Sequence, residues 1–151
     1  MAQANSVISY GADVDSRFIQ INRHGESAVH KIENSRCAIR AWLKSITGAG
    51  RLAVESTGAY HMELADQAHK AGLTVYVVNP RAIQQYREGV SQRAKNDRCD
   101  ARLIARYVDR EHEELRPTHR SALGSAGLGN CSSGAPHWSD HASRSSRAWP
   151  E

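Results

Sequence analysis

No apolar run in this sequence approaches the roughly 20 residues needed to span a bilayer, and the N-terminus lacks a basic stretch followed by an apolar signal segment. Neither a membrane protein nor an exported one is expected; a cytoplasmic location is. Cysteine is scarce: Cys37, Cys99 and Cys131 are odd in number and far apart, spelling neither a disulfide framework nor a paired metal motif, which suits a reducing compartment. At 151 residues there is no room for a second large domain beside one of ordinary size. What is present in modest excess is positive charge. The 20 Lys and Arg against 16 Asp and Glu give a net +4, which leans toward a polyanionic partner.

The chain divides into unlike parts. After a short N-terminal stretch, 1–6, residues 7–116 alternate strand and helix signals; residues 117–151 are a run of Ser, Gly, Ala, Pro and His without sustained period, for which disorder is the expected state. Val7 to Val14 reads as a buried strand. Phe18, Ile19 and Ile21 begin a second that turns at Asn22-Arg23-His24-Gly25 into a third, Ser27 to Ile32, making an antiparallel meander. Asn34 or Ser35 can cap a helix with Cys37, Ile39, Trp42, Leu43 and Ile46 at helical spacing, ended by Gly48 and Gly50. Leu52 to Glu55 is a strand, Thr57 a cap for a helix from about Tyr60 to Ala71, and Leu73 to Val78 another strand, so this half should pair in parallel. Pro80 can open a short helix over Ala82 to Arg87, ended by Gly89. A last helix from Asp97 packs Leu103, Ile104, Tyr107 and Val108 and sets Arg98, Arg102, Arg106 and Arg110 at i, i+4 spacing on another face.

Asp13 and Glu55 each lie at the end of an apolar strand, where ligands bind in open α/β sheets. Asp97 and Asp100, three apart at a helix start, share a face. Four carboxylates from three elements can then converge. Such a cluster repels itself unless a cation neutralises it, which makes it a poor structural device and a good Mg²⁺ or Mn²⁺ site. Two such ions could hold the attacking and leaving oxygens of a phosphoryl transfer. Each acid also has a plain reading: Asp13 as turn former, Glu55 as surface group, Asp97 as N-cap and Asp100 as a first-turn partner of the helix dipole.

Four stretches taken together resemble the DEDD transposases of insertion sequences, which are similar to Piv-type DNA invertases. They are "YGADVDS" around Asp13, "AVESTGAYH" around Glu55, "VYVVNPRAIQQY", and "RAKNDRCDARLIARY" around Asp97 and Asp100. The resemblance implies a RuvC-like, ribonuclease-H-type α/β fold, a mixed sheet of meander plus parallel strands with flanking helices. It implies that Asp13, Glu55, Asp97 and Asp100 bind divalent metal for DNA transposition, and that Lys95, Arg98 and Arg102 contact phosphate or a structured guide RNA from the element. A homo-oligomer is implied for the full-length protein. Asp15 stands where the family more often has Ser, Asn96 where Thr is common and Ser56 where Ala is common; none of these removes a carboxylate, although Asp15 could compete with Asp13 if the first strand runs that far.

Family members continue through a helical region to a second domain carrying a nucleophilic serine, and nothing after Arg116 resembles either. Ser132, Ser133, Ser145 and Ser146 have no structured context to activate one. The rival to a catalytic domain is an inactive remnant in which Arg81, Arg87, Arg93, Lys95, Arg98, Arg102 and Arg106 bind nucleic acid without chemistry. "GADVDSR" also resembles the first phosphate loop of actin-like ATPases and sugar kinases, but a second Gly-rich loop is missing. A tail zinc site from Cys131, His137 and His141 wants a fourth ligand that the sequence does not supply. His30, His61 and His69 read as ordinary surface or partly buried groups. The composition shift predicts a truncated or frameshifted gene copy: translation of the downstream DNA in the other two frames should recover the helical continuation, and its absence from every frame would refute this.

Overall fold

The computed structural model describes residues 7–91 and 100–119. Its first strand, β1 (Ile8–Val14), carries the architecture in its alternation. Tyr10, Ala12 and Val14 enter one apolar cluster, whereas Ser9, Gly11 and Asp13 belong to the opposite face. β2 (Phe18–Arg23) and β3 (Val29–Glu33) follow antiparallel, with Val14 opposite Ile19 and Ile21 opposite His30. Between them Gly25 adopts φ 87°, and Asn22, buried, donates from Nδ2 to the carbonyls of Glu26 (3.0 Å) and Ala28 (2.7 Å). That side chain satisfies the turn's backbone, so the third strand starts at Val29 rather than at Ser27.

Helix α1 (Arg36–Ser45) is capped by Ser35, whose oxygen accepts from the Ala38 amide at 3.3 Å. Asn34, the other candidate cap, instead donates to the carbonyls of Asp15 and Tyr60. Gly50 opens β4 (Gly50–Glu55) rather than closing the helix. A Cβ there would stand 2.8 Å from Leu73 Cδ2, so a larger residue would need the Leu73 side chain to shift. Helix α2 (Met62–Lys70), strand β5 (Thr74–Val78), helix α3 (Pro80–Ser91) and helix α4 (Asp100–Glu111) complete the described elements. Gly89 does not end α3, because the helix is held by Ile83 and Tyr86 in the core and tolerates an exposed glycine at about 1 kcal/mol.

The strand order is β3-β2-β1-β4-β5, with β1, β4 and β5 parallel. This is the mixed sheet expected of a RuvC-like, ribonuclease-H-type domain. Ile39 and Leu43 of α1 and Leu64, Ala65 and Ala68 of α2 cover one face with Leu52, Val54 and Val75. Ile83 of α3 and Leu103, Ile104 and Val108 of α4 cover the other with Ala53, Tyr76 and Val78. Arg36 and Glu63 join α1 to α2 in a two-pronged ion pair, Nε to Oε1 at 2.6 Å. After α4 the chain returns along the outer edge of β5. The Thr118 amide donates to the Val75 carbonyl at 2.7 Å and its hydroxyl accepts from the Val77 amide at 3.0 Å, so an open sheet edge is partly covered. Cys37 is disulfide-bonded, which the number and spacing of the cysteines did not predict.

The tightest packing is between β1 and α4. A Cβ on Gly11 would lie 2.1 Å from the Ala105 nitrogen and 2.3 Å from the Ala101 oxygen, so the helix backbone rests directly on the strand. Ala101 and Ala105 are fully buried at this crossing. Gly11→Ala should therefore force α4 away from the sheet and cost at least about 1–3 kcal/mol, read as a lowered denaturation midpoint. Gly89→Ala, where nothing lies within 4 Å, should be neutral or stabilising.

Candidate active site

Four features of the backbone bring acids together at one end of the sheet. In the parallel β1–β4 pair Ala12 is opposite Val54, so Asp13 and Glu55 are the next residues on neighbouring strands. Thr57, expected to cap α2, lies outside that helix; its hydroxyl donates to the Val14 carbonyl at 3.2 Å and ties the turn after Glu55 to the end of β1. The Ser56 amide donates to the Val78 carbonyl at 2.9 Å, fixing the same turn to β5. Finally, Asp100 opens α4, whose Ala101 and Ala105 sit on Gly11, two residues before Asp13 and on the same face of β1.

The electrostatics register this convergence. Burial pushes the Asp13 carboxyl above its ordinary range; the Asp100 and Asp15 carboxylates push the same way and Arg87 opposes them. Glu55 is also pushed up, first by burial, then by Asp13 and Asp100, again against Arg87. The Asp13, Glu55 and Asp100 carboxylates are thus near enough for their charges to act on one another. Asp15 does not compete for it: β1 ends at Val14, and Asp15 accepts from the Ser16 hydroxyl (2.9 Å) and Arg17 amide (3.3 Å), which holds its pKa down.

Arg87 is the site residue that sequence reasoning did not single out. In sequence it reads as one of several basic residues with a general attraction for nucleic acid. Its guanidinium on α3 bonds Asp100 directly, and nothing in its i, i+3 neighbourhood signals that partner, because the contact joins two helices. Arg102 departs from a solvated helix charge: it is half-buried and donates to the Ser27 carbonyl in the β2–β3 turn, and its Nε is buried without a partner. Asp97, Lys95 and Arg98, and the tail residues Cys131, His137 and His141, lie outside the described residues.

Three clustered, partly buried carboxylates with oxygen donors only, and short of positive charge, suit a hard divalent cation in chemistry. Among the described residues no three acidic, histidine or cysteine side chains are close enough to ligate one ion together. The donor type therefore fits, in an open arrangement into which Arg87 projects its charge.

A family model described as a transposase, that of the DEDD transposases, matches residues 13–131. The chain belongs to the DEDD transposase family. The match begins at Asp13 and runs through Glu55, α4 and on past Arg116. Members of this family generally use divalent metals, and membership implies DNA binding. The chain is similar to the pilin gene-inverting protein of Moraxella lacunata, 39% identical over 69 residues, which are 46% of this chain and 21% of that protein. It is similar to its counterpart in Moraxella bovis, 38% identical over 69 residues with the same shares covered. The chain thus spans about a fifth of the length of the curated relatives it matches. No helix among the described residues is long and apolar enough to cross a membrane.

Because the folded, metal-free domain raises the Asp13 pKa, it binds that proton more tightly than the unfolded chain does. This contribution to stability is present at low pH and is lost as pH rises from the ordinary carboxylate range through the raised folded value. Asp13→Asn keeps the shape without the charge. In chelator its melting temperature should exceed that of the parent at neutral pH, and the gap should widen with pH through the carboxylate range, then level off. A gap independent of pH would show that Asp13 is not under this strain.

Proposed function

We propose that this domain carries a metal-dependent phosphoryl-transfer centre acting on DNA, in which Asp13, Glu55, Asp97 and Asp100 hold Mg²⁺ or Mn²⁺. The observation that carries the reading is the register of β1 with β4. Two acids stand at adjacent parallel strand tips, electrostatically coupled to a third at the start of the helix packed on Gly11. A cluster that raises its own pKa values has no use in folding and a direct use in cation binding. When bound, the metal supplies an activated oxygen nucleophile and charge stabilisation at the phosphate. The chain's own part is to fix the carboxylate directions through the Thr57 and Ser56 ties and to set the site at the ends of two interior strands.

Lys95 and Arg98 are proposed as phosphate or guide-RNA contacts. Arg102, engaged with Ser27, is better read as the tie that holds the β2–β3 turn to α4. A structured guide RNA, a homo-oligomer in the full-length protein and a cytoplasmic location belong to the same proposal. So does the division of the chain into a RuvC-like domain, 7–116, and a disordered or out-of-frame tail, 117–151. The proposal is confined to the metal-dependent cleavage step, in keeping with the fifth of the relatives' length that the chain spans.

Nicking of supercoiled plasmid should appear with Mg²⁺ or Mn²⁺, vanish in chelator, and fall to background in Asp13→Asn and Glu55→Gln while salt-dependent DNA binding persists. Binding without nicking under every metal condition would instead favour the reading of the chain as a nucleic-acid-binding remnant.

A further inference from the structure

We propose that Arg87 is the built-in cation of this acidic site, a positioning residue that holds Asp100 in the metal-free protein and that an incoming divalent ion must displace. The inference rests on the metal-binding reading above and assigns to α3 a part in it.

The geometry is that of a seated group. One guanidinium nitrogen of Arg87 bonds Asp100, and another donates to the Gln84 Oε1 at 3.4 Å, one turn back on the same helix. Gln84 is itself held by a bond from its Nε2 to Glu88 Oε1 at 3.0 Å. The helix beneath is fixed to α4 by Ile83 and by the edge-on contact of Tyr86 with Tyr107, ring centroids 5.1 Å apart. Arg87 and Asp100 are each about two-fifths exposed, so the pair is neither sealed in the core nor free in solvent. The charge of Arg87 also favours the ionised forms of Asp13 and Glu55, so one arginine counters three acids.

A guanidinium and a divalent ion cannot both take the same carboxylate oxygens, since metal–oxygen bonds of about 2.0–2.1 Å leave no room for a donor on that lone pair. The competition of Arg87 with metal is therefore positional, a matter of which cation occupies the carboxylate. Stability of the empty site and ease of filling it are then opposed, and Arg87 sets the balance.

The test uses the full chain, stripped with chelator and titrated with MgCl₂ or MnCl₂ while thermal unfolding is followed. Arg87→Gln and Arg87→Met, the second keeping a similar unbranched apolar stem, should lower the metal-free melting temperature and reduce the metal concentration at half-response by about threefold or more, the factor of a consequential half-exposed ion pair. Arg87→Lys, which keeps the charge, should stay close to the parent, as should Arg81→Gln, an exposed cation on the same helix. An unchanged or increased half-response concentration in both neutral variants, with a responsive parent, overturns the role of Arg87 and leaves the metal site standing. A parent whose unfolding responds to neither metal overturns the metal reading, and this inference with it.

Discussion

The site depends on a helix lying in backbone contact with a strand. Gly11 has no side chain, and Ala101 and Ala105 have almost none, so α4 settles onto the middle of the sheet closer than any larger residue would permit. That approach fixes where Asp100 stands relative to Asp13, two residues along β1. It also lets the remainder of α4 act as a clamp: Ser9 donates to Asp109 at 2.9 Å, His24 lies 3.3 Å from the same carboxylate, and Arg102 reaches the Ser27 carbonyl. Packing and chemistry are therefore set by the same three small residues.

Around this contact the protein tolerates an electrostatic conflict. Burial and mutual repulsion work against ionised Asp13 and Glu55, and Arg87 relieves the conflict only in part. Two acids on α2 are matched instead. Glu63 is held below its usual range by Arg36, and Asp66 pairs with Lys70 at 2.5 Å. The contrast separates charges that fasten helices from charges left in mutual repulsion at the strand tips, in a chain whose family generally uses divalent metals.

Much of the framework was legible because it is written in short periods. The alternation of β1, the Asn-Arg-His-Gly turn, the apolar runs at Leu52 and Leu73 and the helical spacing of Leu103, Ile104 and Val108 each report on a burial pattern that recurs within a few residues. The errors fell where a side chain chose a distant partner over a local one. Thr57 and Asn34 are good caps by type, yet they bond Val14 and the Asp15 and Tyr60 carbonyls across the fold. Gly89 is a good helix terminator by type, yet the helix continues because its apolar face is already buried.

The kinds of element, their order, the placement of Asp13 and Glu55 at strand ends, and a resemblance in four blocks that the family match bears out were legible along the chain. These follow from local backbone preference and from residue types that keep their spacing. Folding alone brings the charges of Asp13, Glu55 and Asp100 within reach of one another, pairs Arg87 with Asp100, and turns Arg102 onto a neighbouring loop. Each of those facts depends on a contact between residues far apart in the chain. Such contacts are settled by how closely two elements can approach, a quantity that one glycine and two alanines control here and that no periodicity records.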